Sequence, residues 1–208
     1  MRNRLSKNRN RFVFAIFTAL TIVSGPTAAK DAPRLPWLSA APEVGYQFFG
    51  PSTLEQDFNT RVEPRHGVVV KGHVDLGGDR VALELAPLFA RQLSSGLVGD
   101  LSAFGGEATL VYRFSRGRFY PGIGLGFHGT YLFPNDTVAR GCELQARIPI
   151  GMTWYFFRFL GLVVESGFHV GTVGIRFKDG PDKLHALSEK TEYGLSLGFD
   201  LLIGLRFP

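Results

Sequence analysis

Cysteine is nearly absent from this chain: Cys142 stands alone among 208 residues. No internal disulfide can form, so stability has to come from backbone pairing and side-chain packing. Cys142 also lies far from the N-terminus, which excludes a lipid-modified cysteine at the head of an exported chain. Long apolar runs are missing too. Beyond residue 29 the most apolar stretch, Trp154 to Val164, is broken by Arg158, and a membrane-crossing helix needs about 20 apolar residues. Nor does the sequence contain a spaced metal-ligand cluster or a phosphate-binding glycine loop. Gly122-x-Gly124-x-Gly126 looks like the start of a dinucleotide fingerprint, but it alternates within a strand-like stretch and no helix follows. No cofactor and no metal are expected.

The first 29 residues read as a secretory signal peptide. Arg2, Arg4, Lys7, Arg9 and Arg11 make a basic start, Phe12 to Val23 is apolar throughout, and Thr27-Ala28-Ala29 offers small residues for cleavage. This leader accounts for the chain's formal charge of +5. Five of the 23 basic residues lie in it and no acidic one does, so the remainder balances at 18 of each sign. A nucleic-acid partner, which the high isoelectric point suggests at first sight, loses its support. Residues 30–41 hold two prolines and read as a periplasmic lead-in segment, and residues 42–208 as one all-β domain.

In that domain apolar and polar residues alternate with period two, the mark of strands with two unlike faces. The last strand is the clearest. Tyr193, Leu195, Leu197, Phe199, Leu201, Ile203, Leu205 and Phe207 share one face; Gly194, Ser196, Gly198, Asp200, Leu202, Gly204 and Arg206 share the other. Cys142–Phe156 and Phe119–Phe133 repeat the pattern. Shorter segments begin at Val44, Val68, Val81, Ala108 and Leu160, giving eight strands, with a bulge or a shortened strand expected at Pro87 and Pro149. The connections alternate in length. Pro51–Arg65, Gln92–Phe104 and Phe177–Glu192 are long and Pro134–Gly141 intermediate, whereas Gly77–Arg80, Ser115–Gly117 and Phe157-Arg158 are tight. An antiparallel up-and-down barrel with both termini on one side has this sorting.

Alternation does not say which face points outward. Three features favour an inverted barrel, apolar outside and polar inside. Aromatics gather at strand ends: Tyr112, Phe114, Trp154, Phe156 and Phe207 near the tight turns, Tyr131, Phe133 and Tyr193 towards the long connections. Two such girdles mark the interfaces of transmembrane barrels. Several strands reach the roughly 9–11 residues needed to cross a bilayer. The minor face mixes glycines with charges of both signs, which suits a lumen just wide enough to be filled by side chains. The expected interior set is Lys71, His73, Asp75, Glu84, Glu107, Arg113, Glu143, Arg147, Glu165, His169, Asp200 and Arg206, paired because an unpaired charge there is costly.

On these residues the chain resembles the small eight-stranded outer-membrane β-barrels typified by the transmembrane domain of outer membrane protein A. The resemblance implies an eight-stranded transmembrane β-barrel in the bacterial outer membrane, monomeric, in contact with outer-membrane lipid and lipopolysaccharide. It also implies recognition of the C-terminal strand by the barrel-insertion machinery, with Phe207 as the terminal aromatic, Leu205 two residues before it and Pro208 after it. The role implied is structural or one of surface interaction. A channel for small solutes or hydrophobic compounds is the alternative within the membrane. Outside it, a soluble lipocalin-like barrel would turn Leu195, Phe199, Ile150 and Met152 into an apolar ligand cavity. Enzymatic activity is not expected. In Glu165-Ser166-Gly167-Phe168-His169 the serine and histidine fall on opposite faces, and His128-Gly129-Thr130 has threonine where lipid A deacylases carry serine.

Overall fold

The computed structural model describes residues 37–53, 61–78, 80–94, 98–114, 118–178 and 192–207. The leader and most of the lead-in segment lie outside them. Because successive side chains of an extended chain point to opposite faces, each alternating segment forms a strand. The strands are β1 Leu38–Phe49, β2 Ser52–Thr53, β3 Arg61–Val62, β4 Arg65–Gly77, β5 Val81–Leu93, β6 Leu101–Arg113, β7 Phe119–Leu132, β8 Val138–Phe157, β9 Leu160–Phe177 and β10 Glu192–Arg206. β2 and β3 pair only with each other. The other eight close into one antiparallel barrel, in which β1 meets β4 on one side and β10 on the other. The seam runs from Glu43↔Gly204 to Phe49↔Gly198, and an isolated bridge between Ala40 and Phe207 extends it.

The faces sort as the alternation predicts. Leu125, Phe127 and Leu144 are 58%, 63% and 63% exposed, while Arg147 is wholly enclosed. Large apolar side chains cover the outside of every barrel strand, and most of the charged ones line the lumen, Arg91 and Arg140 being exposed towards the end away from the chain termini. The apolar cavity of a soluble ligand binder is therefore ruled out as imagined: Leu195, Phe199, Ile150 and Met152 are all exposed on the outer surface.

Several boundaries differ from the sequence reading. β1 starts at Leu38, inside the segment assigned to the lead-in, and β4 starts at Arg65 rather than near Val68. β8 and β9, at 20 and 18 residues, take in Val138–Gly141 and Gly171–Phe177, which the sequence reading left outside its strands. The tight connection after β8 is Arg158-Phe159, one residue later than expected. Neither proline makes a bulge. Lys71↔Leu88 and Val74↔Leu85 keep one register across Pro87, and Ile123↔Ile150 and Gly126↔Arg147 keep one across Pro149. A proline lacks one donor, and each stays paired with its other neighbour, Pro87 with Gly106 and Pro149 with Gly167. The register shifts instead at Val138/Arg140 and Tyr155/Phe157. The second leaves Phe156 half-buried and turns Phe157 outward.

At the end of the barrel away from the chain termini, the lumen is apolar. Val98, Leu101, Ala103, Leu132, Val138, Val173, Ile175 and Phe177 are buried there in one cluster. Asn135 ties this end together: its amide donates to the carbonyls of Val98 and Asp100 at 2.7 and 2.9 Å, and its oxygen accepts from the Thr137 and Val138 amides. The strands approach closely at Gly171, where a Cβ would lie 2.1 Å from the Leu144 carbonyl oxygen. Gly171→Val is expected to destabilise the refolded barrel by about 1–3 kcal/mol through overpacking against backbone, read as an earlier midpoint in urea unfolding.

Candidate functional site: the polar lumen

The side chains with chemical character converge in the lumen because their strands bring every second residue inward. Arg147 on β8 is the hub. Its Nε and Nη2 donate to the two Asp200 oxygens at 3.1 and 2.8 Å, its Nη1 to Glu107 Oε1 at 2.9 Å, and its Nη2 also to Glu165 Oε1 at 2.6 Å. One guanidinium thus joins β6, β8, β9 and β10. Such forked, charge-assisted contacts need a planar cation with several donors, which lysine cannot supply. Gly167 on the neighbouring strand leaves the room, since a Cβ there would sit 2.4 Å from Arg147 Nε.

Around this hub the charges form tiers. Lys71 donates to Glu107 Oε2 at 2.6 Å and lies 3.6 Å from Asp200 Oδ2, which His169 Nε2 also meets at 2.8 Å. Nearer the chain termini, Arg113 donates to Asp75 and Glu84 at 2.9 and 2.6 Å, and Arg206 lies 3.3 and 3.2 Å from the same two carboxylates. His73 stands between two further acids, its Nε2 3.1 Å from Glu43 Oε2 and its Nδ1 3.4 Å from Glu84 Oε2. Towards the apolar end, Arg65 donates to Glu143 at 2.5 Å and to Gln92 at 2.8 Å. All twelve polar residues named from the sequence as interior are buried, and their contacts join them in three groups, around Arg147, around Arg113 with His73, and between Arg65 and Glu143.

The network has members the sequence reading did not name. Arg65 and Glu43 fall three residues and one residue before Val68 and Val44, where the alternation of their strands becomes legible. Glu43 is nevertheless in phase with Gln47, and Arg65 with Lys71, so a longer strand would have found both. Gln145 donates to Ser196 Oγ at 3.0 Å, Ser39 to Asp75 at 2.8 Å, and the His128 ring lies 5.0 Å from that of His169. Tyr120 and Tyr155 stack edge to face at the terminal end of the lumen. A recess of about 20 Å³, lined in part by Glu84, Glu165, Arg113, Arg206 and Tyr120, has room for about one water molecule. Ser166 and His169 do face opposite sides of β9, with Ser166 half-buried on the outside.

The aromatic residues named from the sequence lie on the outer surface, apart from half-buried Phe156. Near the chain termini they form two groups: Tyr112 packs on Phe114, and in the second Trp154 packs on Phe119 and Phe156, and Phe157 on Phe156 and Phe159. Phe207 and the unanticipated Trp37 are exposed at the same end. At the opposite end Tyr131 packs on Phe133, and Tyr193 is exposed.

Removing the hub leaves three carboxylates enclosed without their shared cation. Arg147→Ala is expected to destabilise the barrel by about 3–5 kcal/mol, the range for breaking a buried pair. Arg91→Ala, which removes an exposed contact to Asp100, is expected to cost no more than about 1 kcal/mol. Loss of heat-resistant gel mobility in detergent at a lower temperature for the first variant alone checks both.

A scan against protein-family models and a comparison with curated proteins give no match. Solved structures do match. The outer membrane protein OprG from Pseudomonas aeruginosa superposes with a TM-score of 0.55 at 15% identity, over 85% of this chain and 98% of that one. Neisserial surface protein A (NspA) gives 0.50 at 10% identity, over 83% and 97%. At such identities the likeness is one of fold, and the fold is that of the small eight-stranded outer-membrane β-barrels.

Proposed function

We propose that this protein is an integral β-barrel of the bacterial outer membrane, with a structural or surface-interaction role and a lumen plugged by its own side chains. The observation that carries this reading is the inversion of the faces: apolar and aromatic side chains cover the outside while charged ones are enclosed. In water such a surface drives aggregation. In a bilayer it is the stable arrangement, because lipid matches the apolar belt and closure leaves no unpaired strand edge. The aromatic groups at both ends of the strands support the same orientation, with the chain termini in the periplasm. The partners that follow are outer-membrane lipid and lipopolysaccharide around the belt, and the insertion machinery acting on β10 through Phe207.

A plugged lumen is supported by the hub at Arg147, whose ion pairs cross the interior between strands that are not neighbours, as with Glu107 and Asp200. Passage of a solute would require these pairs to separate. The structural role is therefore preferred to a standing channel. An enzymatic role gains no support from the lumen, since His169 is engaged with Asp200 and faces away from Ser166.

Fractionation of cells expressing the processed protein tests this reading. Recovery in the outer membrane, with gel mobility that changes on boiling, is the expected result. Recovery in the soluble periplasm, or in the membrane without any effect of boiling, contradicts it.

A further inference from the structure

We infer that the lumen contains a divalent metal-ion site formed by Glu43 on β1, His73 on β4 and Glu165 on β9. Each residue offers one ligand atom, all three atoms lie within 4.8 Å of one another, and all three residues are buried. Glu43 and His73 belong to adjacent strands, and β9 is reached through β10, so the cluster exists only in the closed barrel.

The second observation is Glu43 itself. Its side chain is fully enclosed, yet neither carboxylate oxygen has a hydrogen-bond partner among the described residues. Facing it is His73 Nε2, at 3.1 Å but outside hydrogen-bond geometry. An ionised carboxylate without a donor is strongly disfavoured in such a place, so a positive charge is called for at this point. The described residues of the lumen, taken together, make the same demand. Seven buried acids, Glu43, Asp75, Glu84, Glu107, Glu143, Glu165 and Asp200, face five buried cations, Arg65, Lys71, Arg113, Arg147 and Arg206. With neutral histidines the deficit is two charges, which one divalent ion makes up.

The remaining geometry suits an ion. Glu165 gives Oε1 to Arg147, which leaves Oε2 for a metal. His73 Nε2 faces Glu43, while Nδ1 lies 3.4 Å from Glu84 Oε2. A neutral imidazole that ligates through Nε2 and donates Nδ1–H to a carboxylate is the usual support for a histidine ligand. Glu165 and Glu84 also line the recess of about 20 Å³, from which a water can complete the coordination. One imidazole and two carboxylates favour a first-row divalent ion such as Zn²⁺ or Mn²⁺. In the neighbouring set His73, Asp75 and Glu84, both carboxylates are already committed to Arg113 and Arg206.

The competing arrangement is an imidazolium at His73 donating to Glu43 and Glu84, with no metal. Full-length protein, refolded in detergent and stripped with chelator, separates the two by Zn²⁺ titration calorimetry, elemental analysis and nitrogen NMR of the His73 ring. One Zn²⁺ per barrel is expected, with a Zn²⁺-dependent shift of Nε2. Glu43→Gln and Glu165→Gln should each weaken binding by at least about tenfold, since even loss of a supporting partner does so, while exposed Asp136→Asn should leave it unchanged. Two ligand variants are used because either one alone could fail to refold. A heat-modifiable wild-type barrel that takes up no Zn²⁺ overturns the site, as does a His73 ring that keeps protons on both nitrogens in its presence. Uptake unaffected by both ligand variants does the same. Because binding is read on the purified barrel, these outcomes are independent of where the cell places it.

Discussion

Closure of the sheet between β1 and β10 is the constraint on which everything else in this molecule depends. Once the eight strands join, each residue has only two destinations, a convex outer surface or a narrow lumen, and the period of the strand assigns them alternately. The outer positions then form one continuous apolar belt without any further instruction. The inner positions are forced into contact with side chains from across the barrel, so their chemistry has to be mutually compatible. Residues far apart in sequence, such as Arg147 and Asp200, become partners because closure leaves them nowhere else to go.

The lumen meets this demand in layers. An apolar cluster fills the end away from the termini, charged tiers centred on Arg65, Arg147 and Arg113 fill the middle, and Tyr120 and Tyr155 close the other end. Arg147 ties β8 to β6, β9 and β10, and Glu84 on β5 meets Arg113 on β6 and Arg206 on β10, contacts that oppose slippage of the register. Buried ion pairs do not by themselves make a protein more stable than apolar packing would, because desolvation offsets much of the attraction. What they do impose is pairing: a shift of register by one residue would carry the inner charges to the apolar outer face.

Much of the fold is legible in the sequence because the outer and inner faces are so unlike. β10 reads without ambiguity, and so do the cores of β7 and β8, and the phase of β8 and β10 gives Glu143, Arg147, Asp200 and Arg206 as interior charges at once. Strand ends are less legible. Arg65 looks like the end of a connection, yet it is an inward strand residue, and Val173, Ile175 and Phe177 extend β9 past the point where the alternation seems to lapse. Pro87 and Pro149 suggested bulges, but each loses one ladder and keeps the other. The assembly of Glu43, His73 and Glu165 could not be read from spacing, since it depends on which strands meet at the seam and in what register. Glu43 lay one residue outside the strand assigned to it, so that corner of the lumen stayed hidden.

The central claim, that the outer surface meets lipid, is tested most directly by the two tryptophans of the chain, Trp37 and Trp154, both exposed near the same end of the barrel, Trp154 on the outer face of β8. The full chain would be refolded into vesicles whose acyl chains carry bromine at chosen depths, and tryptophan emission recorded at each depth. The account predicts blue-shifted emission, quenched most strongly by bromine near the headgroups and less by bromine at the bilayer centre. Emission at the wavelength of water-exposed tryptophan, unquenched at every depth in a protein that is nevertheless folded, would contradict it.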